Sequence, residues 1–205
     1  MKNRRRFLSL AGLTVAFGLT AAFAAQDTGA KLQAKVGDPA PGFELKNTDG
    51  ETVKLEDHKG NIVVLQWVNP GCPVCVRVMS TGVEKRMLEE LRAVDENIVV
   101  LGISTNRGLA PEKVVAYLEE NDIDIVALID ADGNVGRTYG AKTTPHIYVI
   151  DGEGVLRYQG AIDDDQSGRN GANARNYVVN AVKQLKAGET VEPNETKPYG
   201  CNVKY

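Results

Sequence analysis

The chain has 205 residues, 42% of them hydrophobic and 25% charged, with three cysteines and a net charge of −3. This composition excludes wholesale disorder, collagen and a disulfide-packed miniprotein, and the length suits one compact domain with extensions. Three is an odd number, so the cysteines cannot all pair within one chain.

Lys2, Arg4, Arg5 and Arg6 precede an apolar run from Phe7 to Phe23, and Ala22-Phe23-Ala24 sets small residues where a signal peptidase reads. The pattern predicts an export signal over residues 1–24, cleaved near Ala24/Ala25. Gly12, Thr14, Gly18 and Thr20 weaken the run as a permanent membrane span, the alternative being an uncleaved anchor. Arg4-Arg5-Arg6-Phe7-Leu8 resembles the twin-arginine signal, while Asn3 and Ser9 depart from its flanks, which leaves the export route open. Removing residues 1–24 takes away four positive charges and lowers the net charge from −3 to −7. Nucleic acid and anionic membrane are then poor partners, because both need a basic face. The mature chain is expected to be soluble, in an oxidising compartment, periplasmic or secreted.

Residues 25–35 are small and polar and form a flexible lead. Phe43-Glu44-Leu45 and Thr52-Val53-Lys54-Leu55 alternate around Asp49-Gly50, which predicts a β-hairpin. Ile62–Val68 is a nearly continuous apolar run, the pattern of a strand buried on both faces, and it stops at Asn69-Pro70-Gly71. Val76, Met79, Val83, Met87, Leu91 and Val94 then recur at helical spacing. A second strand is expected at Ile98–Ile103, a helix opened by Pro111, and a third strand at Ile125–Ile129. Asp130-Ala131-Asp132-Gly133-Asn134 is a turn without calcium-loop spacing. Ile147–Ile150 and Val155–Tyr158 should pair antiparallel. A last helix runs from about Arg175 to Lys186, near Gly188. The stretch from Gly160 to Asn173 is expected to be a solvated loop, including Asp163-Asp164-Asp165, and residues 189–205 form a tail without periodicity. The order predicts an α/β domain over 36–188 with a mixed central sheet flanked by helices and an N-terminal hairpin extension.

Cys72-Pro73-Val74-Cys75 is the most informative motif. Haem attachment fails because Val76 follows Cys75, and a zinc site would have to draw on Cys201, His58 and His146. Redox cycling needs two sulfurs within one disulfide distance, which a single helical turn provides. Cys72 lies where a buried strand enters a helix, so first-turn N–H dipoles favour its thiolate, the nucleophilic form. Pro73 suits that turn and leaves Cys72 the more accessible, which makes Cys72 the attacking sulfur and Cys75 the resolving one. Thr143-Thr144-Pro145 precedes a strand, where a proline hints at a cis bond or begins an edge strand. His146 either approaches the pair or points away. Cys201 is a third sulfur, with a redox role or none.

Trp67-Val68-Asn69-Pro70-Gly71-Cys72-Pro73-Val74-Cys75, followed by a helix and then Thr144-Pro145 before a strand and hairpin, resembles the thioredoxin-like superfamily. Pro39–Gly160 is similar to its redoxin branch, the alkyl hydroperoxide reductase and thiol-specific antioxidant proteins. Thr196-Lys197-Pro198-Tyr199-Gly200-Cys201-Asn202-Val203-Lys204-Tyr205 resembles the ending of a peroxiredoxin-like subgroup. The resemblance implies a thioredoxin-like fold, Cys72 as nucleophile, Cys75 as its partner and Pro145 as a cis-proline. It also implies that the Thr144 backbone pairs with a substrate chain; Pro73 and Trp67 are the other candidate substrate contacts. Three departures matter. Gln66 stands where thioredoxins carry a buried acid, and it cannot take a proton from Cys75. Asn69 stands where peroxiredoxins have Thr or Ser, and Pro145 where they have arginine.

The expectation is an exported thiol-disulfide oxidoreductase cycling Cys72 and Cys75, without a cofactor. It would act on a protein or small-molecule disulfide and draw on an external thiol electron donor. Val74 supplies no donor or charge, which leans it toward a reductant. The rivals are a thiol peroxidase with Cys72 peroxidatic and Cys75 or Cys201 resolving, and a metal carrier using Cys72, Cys75 and His146.

Overall fold

A computed structural model describes residues 33–205, so the expected export signal and the expected lead up to residue 32 lie outside the described residues. The expected hairpin is β1 (Glu44–Asn47) and β2 (Thr52–Lys54), antiparallel. Its turn is set locally. The Asn47 Oδ1 accepts the N–H groups of Asp49 and Glu51 at 3.0 and 2.8 Å, and Gly50 takes φ +83°, which glycine adopts without steric cost.

Three apolar runs become β3 (Val63–Trp67), β4 (Val99–Ser104) and β5 (Val126–Ile129), parallel to one another. β7 (Ile147–Ile150) runs antiparallel to β3 and pairs with β8 (Leu156–Gly160). The sheet order is β2-β1-β5-β4-β3-β7-β8, mixed in direction as the sequence predicts, with the hairpin extending one edge. β3 is buried at every residue because both sheet faces are covered. Strand alternation then divides its side chains. Val64 and Val68 join the core that holds Cys72 and Cys75, whereas Val63, Leu65 and Trp67 join Tyr139 and Tyr148 on the other face.

The single apolar helical run after Cys72 divides in two: α1 (Pro73–Ser80) and α2 (Val83–Val94). Gly82 sits between them in the left-handed region, φ +75°, and ends the first helix. Apolar spacing alone does not reveal the break, because both helices bury residues in the same core. α3 (Pro111–Glu120) and α5 (Tyr177–Lys186) fall where expected. Asn176 caps α5 by accepting the Val179 N–H at 3.0 Å. A short α4 (Asn134–Tyr139) was not foreseen beyond the Asp-Gly turn. Buried Asp130 holds it, accepting the Val135 and Gly136 N–H groups at 3.2 and 2.9 Å and the Thr105 hydroxyl at 2.6 Å.

Two further expectations are corrected. The acidic loop is not solvated: Asp163 and Asp165 are buried. Asp165 gathers the loop by accepting N–H groups from Arg169, Asn170 and Gly171 and the Ser167 hydroxyl. These donors outweigh burial and hold its carboxyl at about 2. The tail, in turn, buries Val191, Tyr199 and Val203 in the two cores. It ends in β9 (Cys201–Asn202), which pairs with β6 (Thr143–Thr144).

Candidate active site

Beyond β3 the chain turns over Asn69-Pro70-Gly71. Asn69 accepts twice, taking the Gly71 N–H on its side chain at 2.9 Å and the Cys72 N–H on its carbonyl at 3.0 Å. This delivers Cys72 to the N-cap of α1 with extended backbone (φ −93°, ψ 115°), and Pro73 occupies the first turn. Cys75 lies one turn inside. Both sulfurs are covered, Cys72 at 1% exposure and Cys75 at 2%, while Pro73 beside them is exposed.

The second wall comes from the segment before β7. The Thr144–Pro145 bond is cis. The Cys72 sulfur lies 3.0 Å from the Thr144 carbonyl oxygen, and Thr144 is directly opposite Cys201 in the β6–β9 pair. Three free thiols therefore meet at one point. Hydrogen bonding from the Cys75 thiol does most to lower Cys72; burial opposes it, Cys201 and Thr144 add to it, and the Cys75 N–H contributes least. The result is about 4. Cys75 is pushed up by its bond to Cys72, by burial and by the neighbouring negative charge. Cys201 is raised by the same Cys72 thiolate. One sulfur is charged and two stay protonated at neutral pH, which is the division of labour that thiol exchange requires.

A group absent from the sequence reading lies in the core. Glu84 of α2 is fully buried and accepts the Gln66 side-chain N–H at 2.9 Å. Burial raises its carboxyl to about 7, against the lowering effect of that bond. Gln66 Oε1, Glu84 Oε1 and the Tyr117 hydroxyl have no hydrogen-bond partner among the described residues. Burial is the main cause that pushes the Tyr117 hydroxyl well above its ordinary value. A buried carboxyl on α2 thus hydrogen-bonds the amide at position 66. The signal was present: Glu84 shares the helical face of Met87, Leu88 and Leu91, a charged residue in an apolar stripe.

His146 and Trp67 are not brought to the sulfurs. His146 alternates with Ile147 and turns to the opposite face of the sheet. There its Nδ1 accepts the Lys142 N–H at 3.2 Å and lies 3.1 Å from the Tyr148 hydroxyl. Burial, assisted by Lys142, lowers its pKa to about 4, so it is neutral at pH 7. Trp67 is fully buried on that same face, its indole donating to Thr105 at 3.1 Å. Cys72, Cys75 and His146 therefore do not form one ligand set, and no group of three or more metal-ligating side chains occurs among the described residues. The tail is the other element the sequence did not place. Tyr199 hydrogen-bonds Asp163 under the Arg77 guanidinium, whose carbon lies 6.0 Å from the ring centroid. Arg77 itself reaches the loop carbonyl of Gln166 at 3.1 Å.

A mixed sheet carrying a cysteine pair at a helix start, beside a cis-proline, defines a thiol-based oxidoreductase of thioredoxin-like fold. Residues 36–159 match the AhpC/TSA family, and the chain belongs to that family. It is 32% identical over 166 residues to peroxiredoxin Bcp of Escherichia coli, covering 73% of this chain and 96% of that protein. It is 28% identical over 134 residues to the thiol:disulfide interchange protein DsbE of Escherichia coli, covering 63% of this chain and 67% of that one. A hypothetical protein from Sinorhizobium meliloti has the same fold at TM-score 0.72 and 23% identity, covering 84% of this chain and 96% of that chain. The thioredoxin domain of a thiol-disulfide oxidoreductase from Bacteroides vulgatus aligns at TM-score 0.53 and 24% identity, covering 62% and 89%.

Proposed function

We propose that the protein is an exported thiol-disulfide oxidoreductase in which Cys72 and Cys75 alternate between dithiol and disulfide. The observation that carries this reading is the placement of Cys72 at the start of α1, with Cys75 one turn inside, against Thr144 of the cis Thr144–Pro145 bond. Cys72 attacks a protein or small-molecule disulfide, giving a mixed disulfide and one released thiol. Cys75 then attacks Cys72 and releases the second thiol. Glu84, whose carboxyl burial raises to about 7, is the buried group that takes up the Cys75 proton in this reading. An external thiol donor resets the pair. Export rests on the basic start and apolar run of residues 1–24.

On direction, Val74 supplies no donor or charge to Cys72, which favours a reductant that draws on an external thiol donor. Mass spectrometry after mild oxidation tests the core of the proposal: a Cys72–Cys75 disulfide is expected, and its absence overturns the reading.

A second reading, thiol peroxidase, is favoured by the likeness to a peroxiredoxin. Against it, Asn69 uses its side-chain oxygen on Gly71, and Pro145 offers no guanidinium to a peroxide. Rapid peroxide consumption that is lost in Cys72→Ser but retained in Cys75→Ser would establish it.

A further inference from the structure

β9 lies on the backbone of the residue whose carbonyl oxygen is 3.0 Å from the Cys72 sulfur. Thr144 pairs with Cys201, and Thr143 with Asn202, in an antiparallel ladder of two residues a side. The approach is closest at Gly200, which adopts φ +139°. A Cβ built there would stand 2.2 Å from the Thr144 carbonyl oxygen and 2.8 Å from its carbonyl carbon. Only glycine allows the tail to rest on this peptide, and the next residue is Cys201, directly opposite Thr144.

The tail is tied down on both sides of this contact. Upstream, Thr196 Oγ1 accepts the Ala161 N–H at 2.9 Å and meets the Tyr158 hydroxyl at 2.6 Å, and Tyr199 bonds Asp163. Downstream, the Val203 N–H reaches the Lys142 carbonyl at 3.1 Å, and the Tyr205 hydroxyl reaches the Ala141 carbonyl at 2.7 Å. With β9 in place Cys72 is 1% exposed, so no external disulfide can align with its sulfur. A partner sulfur must arrive where Cys201 stands, on a chain running along Thr144. Extended chains bind in this way by adding to a strand edge through main-chain hydrogen bonds.

We propose that β9 is a built-in occupant of the substrate edge: an extended disulfide-bearing polypeptide docks on Thr144 by displacing it, and when β9 returns Cys201 forms a disulfide with Cys72. The proposal rests on the thiol-exchange reading above and specifies its substrate as a polypeptide with a small residue, glycine by preference, before its cysteine. In the first step the Cys72 thiolate attacks R–S–S–R′, and R′S⁻ leaves and takes up a proton. Cys201, its proton passing to water, then attacks the Cys72 sulfur; RS⁻ leaves and is protonated, and the Cys72–Cys201 disulfide remains. Cys75 attacks the same sulfur, closing Cys72–Cys75 and returning Cys201 as a thiol. One substrate disulfide is reduced to two thiols, and two cysteine thiols of the protein are oxidised to one disulfide.

The test uses the full chain carrying Cys75→Ser, treated with one equivalent of the aromatic disulfide dithiobis-nitrobenzoate. Both thionitrobenzoate groups should be released, with no adduct retained and a Cys72–Cys201 cross-linked peptide recovered from the monomer. A retained adduct on Cys72 with Cys201 still free overturns the proposal. In a second arm, Gly200→Val in the same background should retain the adduct and expose Cys72 to iodoacetamide roughly tenfold faster, equivalent to about 1.4 kcal/mol of lost strand docking. An unchanged rate in a folded variant overturns the displacement step. If Gly200→Val does not fold, the first arm decides alone. Failure of the underlying thiol-exchange reading is separate, because it appears as a missing Cys72–Cys75 disulfide in the unmutated protein.

Discussion

Glu84 of α2 and Gln66 of β3 share a hydrogen bond of 2.9 Å in the core, Gln66 Nε2 donating to Glu84 Oε2, and the Oε1 of each has no partner among the described residues. A carboxyl in that position is costly to ionise, so folding stability should respond to pH in an unusual direction. Burial raises the Glu84 pKa from 4.5 to about 7, and the folded state therefore binds the proton more tightly than the unfolded chain. The stability it contributes is fully present below pH 4.5 and is lost as pH rises to 7. The difference is about 3 kcal/mol. Urea unfolding should show Glu84→Gln more stable than the unmutated protein at pH 8 by roughly that amount, with the gap closing below pH 5. The same variant should slow Cys72–Cys75 closure if Glu84 receives the Cys75 proton. Parallel pH profiles would refute the assignment.

Cys72 should titrate far below an ordinary thiol. Ultraviolet thiolate absorbance should have its midpoint near pH 4. The Cys75 thiol contributes most to that lowering, so Cys75→Ala should move the midpoint upward. A midpoint that stayed in place would assign the stabilisation to Thr144, Cys201 and the helix start instead.

Cys201 should tune the redox pair as well as cover it. Its thiol stabilises the Cys72 thiolate, and with it the reduced form. Cys201→Ala should therefore lower the reduction potential of Cys72–Cys75 by roughly 20–30 mV, for a bond contributing about 1 kcal/mol. Equilibration of both proteins in a glutathione redox series measures this. A rise in potential would contradict the assignment.

Tyr199 joins the tail to the acidic loop through Asp163. Tyr199→Phe keeps the ring under Arg77 but removes a donor from a buried carboxylate. The expected cost is about 1–3 kcal/mol, read as a lower denaturation midpoint with unchanged slope. Hydrogen exchange should also speed at Val203, whose amide bonds the Lys142 carbonyl.

Most of the sheet was legible because its signals are local. The apolar run of β3, the Asp49-Gly50 turn and the proline opening α3 each fix backbone angles within a few residues of themselves. The break at Gly82 and the cap on α4 were harder to see. Apolar spacing continues across the first, and the second depends on Asp130 reaching Thr105 of the neighbouring segment. Asp163 and Asp165 looked solvated because a run of acids usually is. Their burial depends on the N–H groups that fold around them and on Tyr199 from the far end of the chain.

The amino-acid order by itself determined the strand-helix alternation and the placement of Cys72 and Cys75 at a helix start, since periodicity and turn chemistry act over one or two turns of chain. Tertiary structure alone decided what surrounds those sulfurs. It set Glu84 against Gln66, turned His146 to the far face of the sheet, and laid Gly200-Cys201 on Thr144. Contacts of that kind are made by segments remote in sequence, whose meeting depends on the packing of the whole sheet and on no local preference of their own.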